Sequence, residues 1–240
     1  MRYFKPFPLI EYKFGTNLDQ DLIQNIALYS DVIDQTRNAT TTYEDYYIIA
    51  DTRPDQVSFE IYDTPEYHWT FFLMNNKLRE RGWPLSNNKM FEKAKALYPH
   101  RVLTTTTRIH NTFKIGQTVT GLTSGATGVV MHRDLDIGHI YLKDITGTFA
   151  QSENITSVVS GVTETAVITA SEVQYNAAHH YENADGEVVD IDPTVGPGAL
   201  LTEVTWLDRL SKQNEELRQI RIIKPELVEV IVESYKESVE

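Results

Sequence analysis

At 240 residues and 41% hydrophobic content, the chain can bury a sizeable core as one large or two small domains. It has no cysteine, which excludes disulfides, thiolate metal sites and cysteine nucleophiles and suits a reducing compartment. A formal charge of −12 repels phosphate backbones and anionic lipid, so neither nucleic acid nor a membrane is expected as a partner. No stretch approaches the apolar length of a membrane span, and MRYFKPFPLIEYKFG lacks the continuous apolar core of a signal peptide. The chain is therefore expected to be made and used without crossing a membrane by that route. Its thirteen tyrosines suit surfaces that are partly apolar and partly wet, and equally suit half-buried cores.

Residues 1–20 carry Tyr3, Phe4, Phe7, Leu9, Ile10, Tyr12 and Phe14 with two prolines and no helical period, which reads as an extended arm. Such an arm must be covered, either by its own domain or by a neighbouring subunit. From Asp21 to Asp34, the spacing of Leu22, Ile26, Tyr29 and Ile33 predicts an amphipathic helix. The polar run Gln35–Asp45 reads as a loop into a strand over Tyr46–Ile49. Pro54 then opens a short helix with Val57 and Ile61 on one face. Asp63-Thr64-Pro65 breaks it, and Pro65 opens a second helix whose apolar residues are Trp69, Phe72 and Leu73, with Asn75 as its stop. Ser86 caps a helix over Asn87–Tyr98, where Met90, Phe91, Ala94 and Leu97 form the expected buried side.

Residues 110–170 change character, with strand-length runs of Thr, Val and Ile punctuated by Gly and Asp. They also repeat. Phe113, Gly116, Val119, Thr120, Ser124, Gly125 and Thr127 are matched thirty-six residues on by Phe149, Ser152, Ile155, Thr156, Ser160, Gly161 and Thr163. Two similar β units of this kind make a small closed barrel or sandwich. The run Thr123–Gly128 is Gly-rich and Ser/Thr-rich like a phosphate cradle, but it lacks the Lys-Ser/Thr end of a P-loop and reads as a hairpin turn. Further on, Glu172–Tyr181 and Glu187–Ile191 are strand-like around the hairpin signal Asp185-Gly186. His179 and His180, adjacent on a strand, should point to opposite faces and so not share a metal ion. Thr202 is the expected cap of a helix carrying Trp206, Leu210, Gln213 and Leu217. Leu217–Ile223 alternates like a half-buried strand that pairs with Tyr46–Ile49, and Pro225 opens a last helix with Leu227, Val228, Ile231 and Tyr235 on one face.

The order strand, helix, helix over Tyr46–Asn75 resembles most of a LysM-type βααβ module, with Tyr62-Asp63-Thr64-Pro65-Glu66-Tyr67-His68-Trp69 through Asn75 similar to that family's second helix. The resemblance sharpens when more residues are included. Arg53-Pro54, Tyr62-Asp63, Tyr67-x-Trp69, Asn75, Gly82-Trp83-Pro84-Leu85-Ser86 and Asn214-Glu215-x-Leu217-Arg218-Gln219-Ile220-x-Ile222-Ile223 together resemble the baseplate wedge subunit of T4-type contractile-tailed phages, the gene 53 product family, over roughly residues 1–100 and 172–235. The β-rich stretch, which that pattern does not require, resembles β modules of phage structural proteins. The implied fold class is α+β: a LysM-like βααβ module with helical and hairpin additions, plus an inserted small all-β barrel or sandwich. The expected segments are 1–45, arm and helix; 46–109, first strand and helices of the module; 110–170, the insert; and 171–240, hairpin, helix, closing strand and C-terminal helix.

The resemblance implies a structural virion protein that joins neighbouring baseplate wedges, is present in several copies and contacts the wedge core and the sheath-initiating subunit. Partner-contact candidates are the large aromatics Tyr3, Phe4, Phe7, Tyr12, Tyr67, Trp69, Trp83, Trp206 and Tyr235. No cofactor, metal or enzyme activity is expected, because no histidine or serine lies near the carboxylates in a nucleophile–base spacing. The rival reading is a LysM-type peptidoglycan-binding module. Sugar-binding LysM domains usually carry Gly-Asp-Thr before the first helix, where this chain has Arg53-Pro54-Asp55. A third is that the inserted β domain binds host or capsular material.

Overall fold

The computed structural model describes residues 7–13, 15, 20–25, 30–49 and 51–239. The fold is α+β, and the chain divides into two units: Met1–Ser86 with Asn214–Glu240, and Asn87–Gln213. In the first unit, strands β1 (Leu9–Tyr12) and β2 (Asp21–Gln24) form an antiparallel ribbon with Ile10 opposite Ile23. The expected helix over Asp21–Asp34 is therefore corrected. Helix α1 runs Asp31–Asn38 and starts at Ser30, whose hydroxyl accepts the Val32 N–H at 3.3 Å, with Asp31 and Asp34 in its first turn. The cap decides the boundary, and Leu22, which the periodicity places on a buried stripe, is exposed. Ile26 and Tyr29 of that stripe lie outside the described residues.

Strand β3 (Tyr43–Tyr47) begins three residues before the expected Tyr46. Pro54 opens α2 (Pro54–Tyr62), and the Gln56 side-chain Oε1 accepts the Arg53 N–H at 2.9 Å. Asp63, at φ 56°, ends the helix in the left-handed region. A single 3-10 turn over Pro65–Tyr67 leads into α3 (Trp69–Met74), which stops at Asn75, and the short α4 (Asn76–Arg81) follows.

The second unit opens with α5 (Asn87–Leu97), where Met90 and Ala94 are buried but Phe91 and Leu97 are exposed, contrary to expectation. Met90 and Ala94, four apart, define the buried stripe; Phe91 lies off it, edge-on to the Tyr175 ring at 5.4 Å and beneath the Lys95 ammonium. Strands β4 (Arg101–Thr105), β5 (Thr118–Gly121), β6 (Thr127–Asp134), β7 (His139–Thr146), β8 (Asn154–Val159) and β9 (Val162–Val173) close antiparallel in the order β4-β7-β6-β5-β8-β9. The ring draws in residues before 110 and after 170, because a barrel without β4 would be left with two open edges.

The sequence repeat has a geometric meaning here. Exchanging β4 with β7, β5 with β8 and β6 with β9 maps the ring onto itself, and the paired residues Thr120 and Thr156 face each other directly across β5 and β8. Phe113 and Phe149, and Val119 and Ile155, occupy matching core sites. Matching turns require a left-handed residue, supplied by Gly116 and Ser152 and by Gly125 and Gly161.

After the barrel, β10 (Ala178–Glu182) turns through Asn183–Gly186 into β11 (Val188–Val189), and β12 (Thr202–Thr205) pairs on the other side of β10. The expected helix cap at Thr202 is displaced to Thr205. Its hydroxyl accepts the Asp208 N–H at 3.0 Å while the Asp208 carboxylate accepts the Thr205 N–H at 3.0 Å, and α6 (Trp206–Glu215) begins there.

Back in the first unit, β13 (Gln219–Ile223) pairs antiparallel with β3, Ile220 opposite Tyr46, and α7 (Val228–Val239) follows. Ile220 and Ile222 pack with Ile48, Val57, Phe71, Leu78 and Leu217. Ile223 joins a second cluster with Ile33, Trp69, Met74 and the α7 residues Val228, Val232 and Tyr235. Two asparagines bind remote backbone as a neighbouring strand would. Asn75 donates from Nδ2 to the Arg221 carbonyl at 2.8 Å and accepts the Arg221 N–H at 2.9 Å. Buried Asn214 does the same for Leu85, at 2.9 and 2.8 Å. Both belong to the motifs that carry the family resemblance, and each closes a contact between segments far apart in sequence.

Candidate interaction surfaces

The aromatic residues singled out by sequence are mostly interior. Phe7 is 4% exposed, inside the cluster with Ile33 and Trp69. Trp69 packs on Tyr235 at 5.4 Å between ring centroids, and Tyr67 lies edge-on to Tyr62 at 6.0 Å. Trp83 lies against Phe71 and Phe72 and donates its indole N–H to the Thr52 carbonyl at 2.8 Å. In the second unit Trp206 meets Tyr98 and His179. Phe7, Trp69 and Tyr235 are buried in their own unit, whereas Tyr67, Trp83 and Trp206 are half-buried, each with one side against its own unit. Tyr3 and Phe4 lie outside the described residues. Tyr12 is 49% exposed.

What sequence reasoning missed is the ribbon on which Tyr12 sits. Leu9 is 62% exposed and Leu22 66% exposed, and the register places Leu22 opposite Glu11, on the same face as Leu9. A two-stranded ribbon is marginal by itself in water, and this one carries large apolar side chains into solvent. Phe7, just before it, is its buried anchor. The apolar and aromatic run Leu9-Ile10-Glu11-Tyr12 was the available strand signal, masked by the prolines beside it.

The polar clusters close on themselves. In the Gly-rich turn, the Thr123 and Ser124 N–H groups both donate to the Glu153 carboxylate, at 3.0 and 2.9 Å, joined by the Ser124 hydroxyl at 2.8 Å and the Ala150 N–H at 2.6 Å. The anion cradle that the sequence hints at is filled by the chain's own carboxylate. Burial raises the Glu153 pKa, but the hydrogen bonds from Ser124, Ala150 and Thr123 outweigh it and hold the group below its ordinary value.

His179 and His180 do not point to opposite faces. The register shifts between Ala178 and His180, and this irregularity brings the two Nδ1 atoms to 2.8 Å. Arg209 donates to His179 Nε2 at 3.0 Å, so His179 carries its proton on Nδ1 and donates to His180, whose Nε2–H donates to Glu182 at 3.1 Å. Burial, then Arg209 and His180, lower the His179 pKa. Both imidazoles are thus engaged in one directed chain, and among the described residues no group of three or more His, Cys, Asp or Glu side chains is placed to hold a metal ion. Asp192 is held below its ordinary pKa chiefly by the hydroxyl and N–H of Thr194.

Residues 3–114 match the model of a family described as base plate wedge protein 53. Over that stretch, just under half of the chain, the sequence is similar to this family. The match contains Arg53-Pro54, Tyr62-Asp63, Tyr67-x-Trp69, Asn75 and Gly82–Ser86, and it ends before the Asn214–Ile223 motif. The similarity supports a structural bacteriophage role in the tail baseplate, among other baseplate components. Among curated proteins no match is found. Among the described residues no helix is long and apolar enough to cross a membrane.

Proposed function

We propose that this wedge protein joins neighbouring wedges during baseplate assembly, and that the β1–β2 ribbon is one of its contact surfaces. The observation that carries the reading is that ribbon: two strands paired with each other, anchored by buried Phe7, with Leu9, Tyr12 and Leu22 turned to solvent. The contacts implied by the family resemblance are the wedge core and the sheath-initiating subunit, met in several copies in the host cytoplasm where the tail is built. The β3, α2, α3, β13 arrangement, with first and last strands paired antiparallel, supports a LysM-like module whose halves are separated in sequence by the barrel.

A sugar-binding role for that module has less support. Arg53 pairs with Asp55 at 3.1 Å, and the Arg53 N–H is taken by Gln56, so the loop that replaces Gly-Asp-Thr turns its polar groups on itself. In an in vitro assembly assay, wild-type chain should convert purified wedges into faster-sedimenting rings. The Leu9→Ser/Leu22→Ser double variant should stay folded and fail to do so; rings formed at the wild-type rate would remove the ribbon from the contact.

A further inference from the structure

The two edges of the β3–β13 ribbon are treated differently. Ile48 N–H donates to the Arg218 carbonyl at 2.9 Å and Lys224 N–H to the Thr42 carbonyl at 3.0 Å. With Ile220 opposite Tyr46 and Ile222 opposite Glu44, even-numbered residues of both strands turn their peptide groups toward each other and odd-numbered residues turn theirs away. On β13 side chains close both outward groups of Arg221 and the outward carbonyl of Ile223. Tyr62 hydroxyl donates to the Ile223 carbonyl at 2.8 Å, and the Asn75 amide takes both groups of Arg221.

On β3 the outward N–H and C=O groups of Tyr43, Asp45 and Tyr47 meet no hydrogen-bond partner among the described residues, and no further strand pairs there. This edge is also acidic. Glu44 and Asp45 are both exposed on it, the Tyr46 hydroxyl holds Glu60, and the Tyr47 hydroxyl holds Glu215. An unpaired edge is a template for an added strand, and main-chain hydrogen bonds would supply the affinity while the carboxylates select the charge of the visitor.

We propose that the open edge of β3 receives an extended segment of another protein carrying lysine or arginine at alternate positions, which adds a third strand beside Tyr43, Asp45 and Tyr47. The proposal rests on the reading of the chain as a subunit of an assembly, and it names the chemistry of one partner segment. The basic side chains of that segment, all on one face, stand beside exposed Asp45 between Tyr43 and Tyr47, and its peptide groups complete the odd-numbered positions of β3.

The test is amide hydrogen exchange on the full chain, read residue by residue by NMR. Alone, the amides of Glu44, Tyr46 and Ile48 exchange slowly and those of Tyr43, Asp45 and Tyr47 rapidly. A synthetic peptide of alternating valine and lysine slows the odd-numbered three at least tenfold; the same peptide with glutamate for lysine leaves them unchanged. Asp45→Pro, which removes an outward N–H and leaves the inward ladder intact, abolishes the slowing while Glu44 and Tyr46 stay protected, which certifies the fold. Absence of slowing with the lysine peptide overturns the proposal, and equal slowing by both peptides overturns its charge chemistry, leaving Glu44 and Asp45 as guards against edge pairing. The assembly reading fails separately, if wild-type chain does not bind wedges at all.

Discussion

Each of the six strands in the barrel has two hydrogen-bonded neighbours, whereas β1, β2, β3 and β13 of the first unit lie in two ribbons of two. The barrel closes its edges by symmetry: two similar halves exchange places in the ring, and a core of Leu103, Phe113, Ile140, Leu142, Ile155 and Ile168 fills it. The first unit closes only some of its edges, and does so one residue at a time, with Asn75 and Tyr62 on β13 and Asn214 on Leu85. A ring without edges offers its surroundings side chains alone. A pair of short ribbons offers backbone as well, and the matched family segment contains both β1–β2 and β3. The difference separates a unit that completes itself from one left partly incomplete in isolation.

That contrast can be broken most forcefully in the barrel core. Phe113 is fully buried, so Phe113→Ala should cost about 3–5 kcal/mol in urea unfolding followed by a probe in the barrel. A smaller loss would show that the ring is less tightly specified than its repeat implies. Acid should act next. His139 on β7 is 2% exposed, its Nδ1 has no hydrogen-bond partner, and burial pushes its pKa down to about 4 from 6.5. The folded state therefore holds the ring neutral. Its stability contribution is full above pH 6.5 and is lost as the pH falls toward 4, by about 3 kcal/mol in all. His139→Leu should flatten that part of the pH profile of unfolding.

In the first unit, Asn214→Leu leaves the Leu85 N–H and C=O without the bonds that the amide made, at a cost of about 2–3 kcal/mol. Thermal melts would register this as a clear drop in Tm, and an unchanged Tm would mean that the amide bridge is dispensable. The smallest effect on stability belongs to the ribbon. Leu9→Ser/Leu22→Ser should change unfolding by only about 0.5 kcal/mol, since both side chains already face water, while removing wedge joining.

Local punctuation was readable from the residues alone. Pro54 and Pro65 open their turns of helix, Asp63 and Asn75 end theirs, and Asn183–Gly186 makes its hairpin, because each acts through its own backbone angles or caps. The thirty-six-residue repeat likewise announced a closed β unit, because matched core sites need matched residues. The missed strands are cases where a distant partner decides. Asp21–Gln24 is strand because Leu9–Tyr12 pairs with it, Thr202–Thr205 because β10 does, and Arg101–Thr105 enters the barrel because β7 and β9 flank it. Periodicity within a window contains none of that information. The burial of the large aromatics was illegible for a related reason. Size and aromaticity mark residues that must be covered, but whether the cover is the same chain, as for Trp69 and Tyr235, is set by the tertiary fold. Phe7 illustrates the consequence: deleting residues 1–14 would remove a core side chain together with half of the ribbon, so loss of assembly after that truncation would not isolate a contact.

The most direct test of the assembly role is a paired co-sedimentation of the full chain, with purified wedge complexes from the same phage and with insoluble peptidoglycan. Saturable binding to wedges with none to the wall is the predicted result, and it would identify an assembly protein that does not hold wall sugars. Binding to the wall alone would contradict the account and make the LysM-like module a ligand site.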